Sequence, residues 1–374
     1  MRVLLISRAM VAASHRARLR ELAKLKVRLT VMTPHRWEYQ RFEPGTGDGY
    51  ELLSAPARLA WPILGRLANH TFYYKEALPL VRRGDWDLVH IDDEPFNFVS
   101  YHIVKSLGMS GPPVIFTTWQ NLMKRYPPPF CMFERRVFER ASGAISGNAE
   151  ALDVLRRRGF SKPATVIPVH GVDPLIYRKH DATSLRRNMG LNGEFAVGFV
   201  GRLSPEKDLG TFIKALSLLP SECVLVLVGS GPERSRLDGM VKSLGLSGRV
   251  RWVPWVASDD VPKYMNALDV LVLPSRTCKY IKEQFGRVLI EAMACETCVV
   301  GSDSGEIPNV IGDAGLIFHE GDERELADRL LMLMESSSLR EALRQNGLMR
   351  VHERFTHEKV AHDTARFYRQ LCRT

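Results

Sequence analysis

Glu283 and Glu291 stand eight residues apart in the stretch Glu283-Gln-Phe-Gly-Arg-Val-Leu-Ile-Glu291, on either side of the point where a loop should become a helix. The N–H groups of Phe285 and Gly286 would be among the unpaired donors at the start of a helix running from about Gly286. Such an end attracts phosphate. Gly286 would let a phosphate approach the backbone closely. Glu291, about a turn and a half into the helix, could accept hydrogen bonds from sugar hydroxyls, while Glu283 stays in the loop. Carboxylates accept bonds from hydroxyls and repel phosphate, so this arrangement suits a ligand with a sugar at each end, as a nucleotide sugar has. A bare pair of acids more often marks an amphipathic helix with one exposed and one capping Glu. The neighbouring motifs reverse that preference.

In Gly201-Arg202-Leu-Ser-Pro-Glu-Lys207 two cations five residues apart flank a Pro-containing turn before a helix. Arg offers a fork to phosphate oxygens and Lys a point charge, which suits a diphosphate if this strand neighbours the one before Phe285. Standing alone, the pair reads as solvated surface cations. Gly229-Ser-Gly-Pro232 is a turn signal. Pro254-Trp255 and Leu273-Pro-Ser275 end strands and could line a nucleotide base or simply pack.

Three stretches of the first half also follow strands: Ser7–His15, rich in small residues but without glycine; His90-Ile-Asp92-Asp93-Glu94-Pro95; and Thr117-Thr-Trp119-Gln120-Asn121, leading to Pro127-Pro-Pro129. The three acids could meet a cation or an acceptor hydroxyl, or cap a helix. Trp119, Gln120 and Asn121 could stack on and hydrogen-bond a sugar, with the proline run holding the exit extended. A buried Trp with amide caps is the plainer alternative.

The elements that would position these residues alternate. Strands are expected at Val3–Ile6, Val27–Met32, Leu88–Ile91, Val114–Thr117, Ala144–Ser146 and Val166–Pro168, with helical periodicity in Ser14–Leu25 and Phe133–Arg140. A second series is expected at Ala196–Val200, Val224–Val228, Arg251–Val253, Val270–Leu273, Cys298–Gly301 and Leu316–Phe318. This is the rhythm of α/β, doubly wound parallel sheets, whose ligands sit beyond the C-terminal ends of the strands. Val166-Ile-Pro-Val-His-Gly171-Val-Asp-Pro174 reads as a hinge. Residues 1–170 and 171–355 are therefore expected to form two domains, with the helical stretch 356–374 packing back on the first. Glu325–Phe355 reads as helix.

With 374 residues, 45% apolar and 25% charged, the chain can bury two ordinary cores. No apolar run reaches the ~18 residues of a membrane span, and Met1–Ser7 reads as a strand and not as a signal peptide. A cytoplasmic place is expected, on the inner membrane face if the acceptor is there. The six cysteines are scattered, and Cys295-Glu-Thr-Cys298 is half of a zinc or redox spacing without a second ligand pair. No metal site is expected. The charge of +10 calls for an acidic partner. Basic residues cluster at Arg16–Arg28, Lys124-Arg125, Arg135–Arg140 and Arg156–Arg158, without any nucleic-acid motif, so these are solvated faces or a contact with anionic membrane.

Taken in order, Gly201-Arg202…Lys207, Leu273-Pro-Ser275, Glu283-x7-Glu291 with Phe285-Gly286, and Asp303-Ser-Gly-Glu-Ile-Pro…Gly315 resemble the retaining family 4 glycosyltransferases (group 1) of the GT-B fold, two Rossmann-like domains facing a cleft. The resemblance runs along the chain and is strongest in its second half. It implies a nucleotide diphosphate sugar, UDP- or GDP-linked, held by the second domain, with a glycan, lipid-linked or small-molecule acceptor in the first and reaction between them. It also implies that Arg202 and Lys207 hold the diphosphate with the backbone of Phe285, Gly286 and Arg287, that Glu283 meets the donor sugar and Glu291 the ribose, and that no metal or other cofactor is needed. Trp255 and Ser275 are further donor-side candidates, and Glu283, Trp119 and Gln120 the catalytic ones. Three departures stand out. Ser14, His15 or Arg16 replaces a glycine pair in the first loop, Trp119 and Gln120 stand where relatives offer a His, and Glu296 and Cys298 replace a Gly and a Pro.

The expected activity is transfer of a sugar to an acceptor hydroxyl with retained configuration, in synthesis of a cell-surface polysaccharide, a glycolipid or a small glycoside. The alternatives are a GT-B epimerase or phosphorylase and a non-catalytic nucleotide-sugar-binding partner. A dinucleotide dehydrogenase is disfavoured, since no G-x-G-x-x-G follows the first strand.

Overall fold

The computed structural model describes residues 1–374 apart from 38–39, 46–48, 60–67, 84, 109, 169 and 374. Val169, within the expected hinge, lies outside the described residues. The chain divides into unit 1, Met1–Val169 with His357–Thr374, and unit 2, His170–Thr356.

Unit 1 carries strands β1 (Arg2–Ile6), β2 (Arg28–Pro34), β3 (Arg36–Trp37), β4 (Gln40–Arg41), β5 (Glu51–Ala55), β6 (Leu88–Ile91), β7 (Val114–Thr118), β8 (Gly143–Ser146) and β9 (Ala164–Val166). Seven of them form a sheet in the order β5-β2-β1-β6-β7-β8-β9, while β3 and β4 form a short antiparallel pair. The sheet is parallel throughout. Side chains alternate across a strand. Leu4 and Ile6 therefore join Val99, Ile103 and Val137 on one face, and Val3 and Leu5 join Leu19, Leu22, Val360 and Tyr368 on the other. The C-terminal helix His357–Cys372 lies on this second face against the helix Ala17–Lys24. Its Tyr368 hydroxyl is 2.6 Å from His90 Nδ1, whose Nε2 is 2.8 Å from Thr117 Oγ1. Burial lowers the His90 pKa to about 4, so the ring is neutral in this core.

Unit 2 carries β10 (Phe195–Val200), β11 (Cys223–Val228), β12 (Val250–Val253), β13 (Val270–Leu273), β14 (Cys298–Ser302) and β15 (Gly315–Phe318). They form one sheet in the order β12-β11-β10-β13-β14-β15, again parallel. Strand order reverses between β10 and β13 here and between β1 and β6 in unit 1. Loops that leave neighbouring strands at such a reversal diverge and open a crevice.

Several local expectations are corrected. The edge strand β5 lacks a strong apolar pattern and is fixed by its pairing, with Thr30 Oγ1 donating to Glu51 Oε2 over 2.8 Å. Strand β9 begins earlier than expected and stops before Pro168, which has no N–H for a ladder. The proline run does not extend the chain, because Phe130 N–H bonds to Pro127 O and a helix starts at Phe130. The last helical stretch breaks at Ser336, whose hydroxyl caps the second helix by accepting from Leu339 N–H. Glu296, at a turn where glycine is the easier residue, keeps a left-handed conformation with φ 54°.

Candidate active site

The loops after β10 and β13 bring Lys207, Ser275 and Glu283 together. β10 and β13 are paired, with Val197 opposite Val270. The turn Pro205–Lys207 then presents Lys207 Nζ 2.5 Å from Glu283 Oε2. Ser275 Oγ donates to the same carboxylate oxygen over 2.7 Å and lies 3.5 Å from Lys207 Nζ. Burial pushes the Glu283 carboxyl up, but the charge of Lys207, the hydrogen bonds from Lys207 and Ser275 and the Gln284 N–H outweigh it and hold its pKa below the usual carboxylate value. Glu283 is thus an ionised, oriented acceptor. Ser275 is buried, and its hydroxyl is committed to Glu283.

The backbone of Glu283 is also fixed. Its carbonyl accepts from Glu306 N–H over 3.1 Å. A Cβ on Gly305 would lie 2.0 Å from that oxygen, and Gly305 has φ 60°, so only glycine fits. The Asp303-Ser-Gly-Glu stretch therefore acts as a support for the Glu283 loop.

Three residues on, Gly286 caps the helix Arg287–Ala294 in a left-handed conformation, with φ 79°. Phe285 is buried, its ring near those of His170 and Phe355. The amide groups at this helix start have no intrahelical acceptors. Glu291, one turn further, is 7% exposed. Arg287 Nε meets its Oε1 at 2.9 Å and the nearby Tyr177 hydroxyl also favours its charged form, yet burial, the larger effect, raises its pKa.

A cavity of about 570 Å³ opens beside that helix, lined by Arg202, Trp255, Arg287 and Glu291 among the expected residues, and by Tyr177, Gly229, Ser230 and several valines besides. Trp255 is 72% exposed at its rim and Arg202 is exposed. The Arg202 loop is docked on the Gly229-Ser-Gly turn, since Leu203 N–H bonds to Ser230 O over 3.0 Å and Glu233 N–H to Leu203 O over 3.1 Å. The cavity thus holds two guanidinium groups, a carboxylate and an aromatic wall. Tyr177 escaped sequence reasoning because its stretch carries only turn signals.

In unit 1, Trp119 and Gln120 follow β7 and organise around Glu94. Glu94 Oε1 accepts from Trp119 N–H and Oε2 from Thr118 Oγ1, both over 2.7 Å. The Trp119 ring lies against Gly147, where a Cβ would be 2.1 Å from it. Gln120 Oε1 accepts from Leu122 N–H over 3.2 Å. Burial pushes Glu94 up to about 7. Asp92 is engaged by Arg18 at 2.8 Å and Ser7 Oγ at 2.9 Å, and Asp93 by Asn97 Nδ2 and the Glu94 N–H. These acids build the loop's own framework.

Arg16, a candidate for phosphate, is 1% exposed and donates to the Met10 and Val11 carbonyls, each over 2.7 Å, so it fastens the first loop from inside. Ser14 is exposed, and His15 Nδ1 lies 2.9 Å from Ala9 O. The basic clusters are likewise less superficial than their sequence suggests. Arg18 and Arg140 are buried, and Arg158 pairs with Glu134. The exposed remainder is spread over several elements: Arg20 and Lys24 on the helix Ala17–Lys24, Arg28 on β2, Arg125 in the loop after β7, Arg135 and Arg136 on the helix Phe130–Arg140, and Arg156 and Arg157 on the helix Ala149–Arg157. Among the described residues, no group of three or more His, Cys, Asp or Glu is placed to hold a metal ion, and no helix is long and apolar enough to cross a membrane.

Comparison with known proteins adds the following. Residues 181–350 match the family model "Glycosyl transferases group 1" and residues 16–174 the model "Glycosyltransferase Family 4". The chain is 30% identical to the N-acetyl-alpha-D-glucosaminyl L-malate synthase of Bacillus anthracis over 207 residues, 54% of this chain and 52% of that protein. It is 34% identical to the D-inositol 3-phosphate glycosyltransferase of Mycobacterium tuberculosis over 196 residues, 50% of this chain and 39% of that one. It thus spans about half, or less, of the length of these curated relatives. Among solved structures, Anabaena HepE in complex with UDP superposes with a TM-score of 0.78 at 21% identity, over 99% of this chain and all of that one. Sucrose-phosphate synthase from Thermosynechococcus elongatus gives 0.77 at 23% identity over 99% of each.

Proposed function

The chain belongs to the family 4 (group 1) glycosyltransferases of the GT-B fold, and on that premise we propose that it moves a sugar from a nucleotide diphosphate sugar to an acceptor hydroxyl with retained anomeric configuration. Two observations within unit 2 carry the reading: a cavity lined by Arg202, Arg287, Glu291 and Trp255, and, outside that lining but on the loop that leads into the same helix, an ionised Glu283 held by Lys207 and Ser275. The diphosphate lies between Arg202, Lys207 and the amides before Arg287, where positive charge and the helix dipole stabilise it as it leaves. These groups do the work a metal ion would otherwise do, so turnover continues in EDTA. Glu283 receives hydroxyls of the donor sugar and Glu291 those of the ribose. UDP or GDP is the carrier, and UDP is favoured by its presence in the HepE crystals.

Unit 1 takes the acceptor, with Trp119 and Gln120 beside it. The relatives' names include malate and an inositol phosphate, both anionic, which supports an acceptor bearing negative charge. The product belongs to a surface polysaccharide, a glycolipid or a small glycoside. If the acceptor is membrane-borne, the inner membrane face is met by the loop and helix where Met123 and Met132 are 50% and 58% exposed beside Arg125 and Arg135. Retention follows from attack on the donor face from which the diphosphate departs, with the departing phosphate taking the acceptor's proton.

The test is incubation with UDP- and GDP-sugars and a panel of anionic and lipid-linked acceptors, followed by NMR of the product. The reading expects nucleoside diphosphate release and a glycoside with the donor's anomeric configuration. An inverted product would remove the retaining mechanism, and a sugar phosphate formed without nucleotide would favour a phosphorylase.

A further inference from the structure

We infer that Tyr177 is a positioning residue for the donor ribose: with Arg287 it clamps the Glu291 carboxylate so that its free lone pairs face the cavity as a hydroxyl acceptor. The inference rests on the donor reading of unit 2 given above.

Three observations carry it. First, Tyr177, Arg287 and Glu291 line the same cavity, with Arg287 Nε 2.9 Å from Glu291 Oε1 and the Tyr177 hydroxyl close enough to favour the charged carboxylate. Two donors approaching from different elements restrict the carboxylate far more than the i,i+4 Arg partner alone, because Arg287 is 48% exposed and can swing. Second, Tyr177 is delivered by a built turn. Asp173 O accepts from Ile176 N–H at 3.1 Å and Tyr177 N–H at 2.9 Å, and Asp173 Oδ1 accepts from Leu175 N–H at 2.9 Å. Just beyond Tyr177, Asn266 Nδ2 donates to Arg178 O over 2.9 Å, and Asn266 Oδ1 accepts from His180 N–H over 2.7 Å. The phenol is therefore pinned on both sides, whereas its neighbours Leu175 and Ile176 are exposed. Third, the carboxylate needs the help. Burial disfavours its charged form, and a protonated Glu291 would present a donor where two ribose hydroxyls require an acceptor. The Arg287 guanidinium and the Tyr177 hydroxyl counter that drift.

A phenol in this place predicts discrimination between ribose and deoxyribose. The experiment is calorimetric titration of the purified protein and of Tyr177→Phe with UDP, GDP and their 2′-deoxy and 3′-deoxy analogues, with melting temperatures measured in parallel. The unsubstituted protein is expected to prefer the ribonucleotide over at least one deoxy analogue. Tyr177→Phe is expected to keep its melting behaviour and its affinity for that analogue while that preference narrows about 2- to 10-fold, the effect of one hydrogen bond. Equal weakening toward both nucleotides would mean a merely structural tyrosine, and an unchanged ratio would mean no role; either overturns the inference while leaving the donor reading standing. No binding of any nucleotide by the unsubstituted protein overturns the donor reading, and this inference with it.

Discussion

Lys207 Nζ and Glu283 Oε2 are 2.5 Å apart, with 22% and 14% of their side chains exposed, and they come from loops after two strands that are adjacent in the sheet though separated in sequence by 76 residues. The ion pair ties the loop after β10 to the loop after β13, so on the proposed donor reading one pair sets both the phosphate and the sugar subsites.

Removing either member should therefore harm both. Glu283→Gln is expected to lower turnover by about 100-fold, the scale of losing one oriented electrostatic contact. It should also destabilise unit 2 by about 1–3 kcal/mol by leaving Lys207 part-buried and unpaired. The stability part carries a pH signature. Glu283 has a lowered pKa in the folded chain, so its stabilisation is present above its unfolded value and is lost as pH falls through the folded one. Melting curves in acid should show this loss in the unsubstituted protein and not in Glu283→Gln.

The Glu306 N–H holds the Glu283 carbonyl, and a Cβ on the preceding Gly305 would stand 2.0 Å from that oxygen. Gly305→Ala is expected to displace the Glu283 loop, to lower kcat by at least about tenfold and to destabilise by about 1–3 kcal/mol through left-handed strain. Kinetics and circular dichroism on the same sample check this; full activity would mean that the loop position is unimportant.

Glu296 offers the reverse case. It holds φ 54°, and its side chain pairs with Lys179 at 3.6 Å, with 35% and 56% of the two side chains exposed. Relief of the left-handed strain should outweigh that weak pair, so Glu296→Gly is expected to raise stability by about 1 kcal/mol with activity unchanged. Denaturant titration reads it directly.

Much of this was legible in the sequence, for identifiable reasons. Parallel strands buried on both faces give short apolar runs, which is why β6 and β13 fall where periodicity puts them. Arg202, Lys207, Glu283 and Glu291 stood out in the sequence through the order and spacing of their motifs, and the fold sets the first three in loops after strands and Glu291 on the helix Arg287–Ala294. The sequence could not separate surface arginines from internal ones. Arg16 looks like its neighbours Arg18 and Arg20 until the fold wraps it around the Met10 and Val11 carbonyls. Nor could it find Tyr177, whose partner Glu291 lies 114 residues away, or show that Glu94, one of the three acids after β6, would accept from the Trp119 N–H 25 residues on. Edge strand β5 escaped because an edge needs only one good neighbour.

Glu94 yields a prediction for unit 1. Its pKa is raised to about 7 by burial and by Asp93, against the lowering effects of the Trp119 N–H, Thr118 and Arg8. An acid raised in the folded state binds more protons folded than unfolded, so its contribution is full below the unfolded value of about 4.5 and is lost as pH rises toward 7. Glu94→Gln should flatten that decline in melting temperature between about pH 4.5 and 7. An unaltered pH profile would mean that Glu94 titrates normally.

The most direct measurement is calorimetric titration of the purified protein with UDP, GDP, ADP and TDP, in EDTA and again with magnesium, alongside Arg202→Ala. The account predicts that at least one nucleoside diphosphate binds in EDTA and that Arg202→Ala weakens it about 10- to 100-fold, the range for a charged hydrogen bond. Failure of every nucleotide to bind, or binding indifferent to Arg202, would contradict the assignment of the unit 2 cavity to the donor.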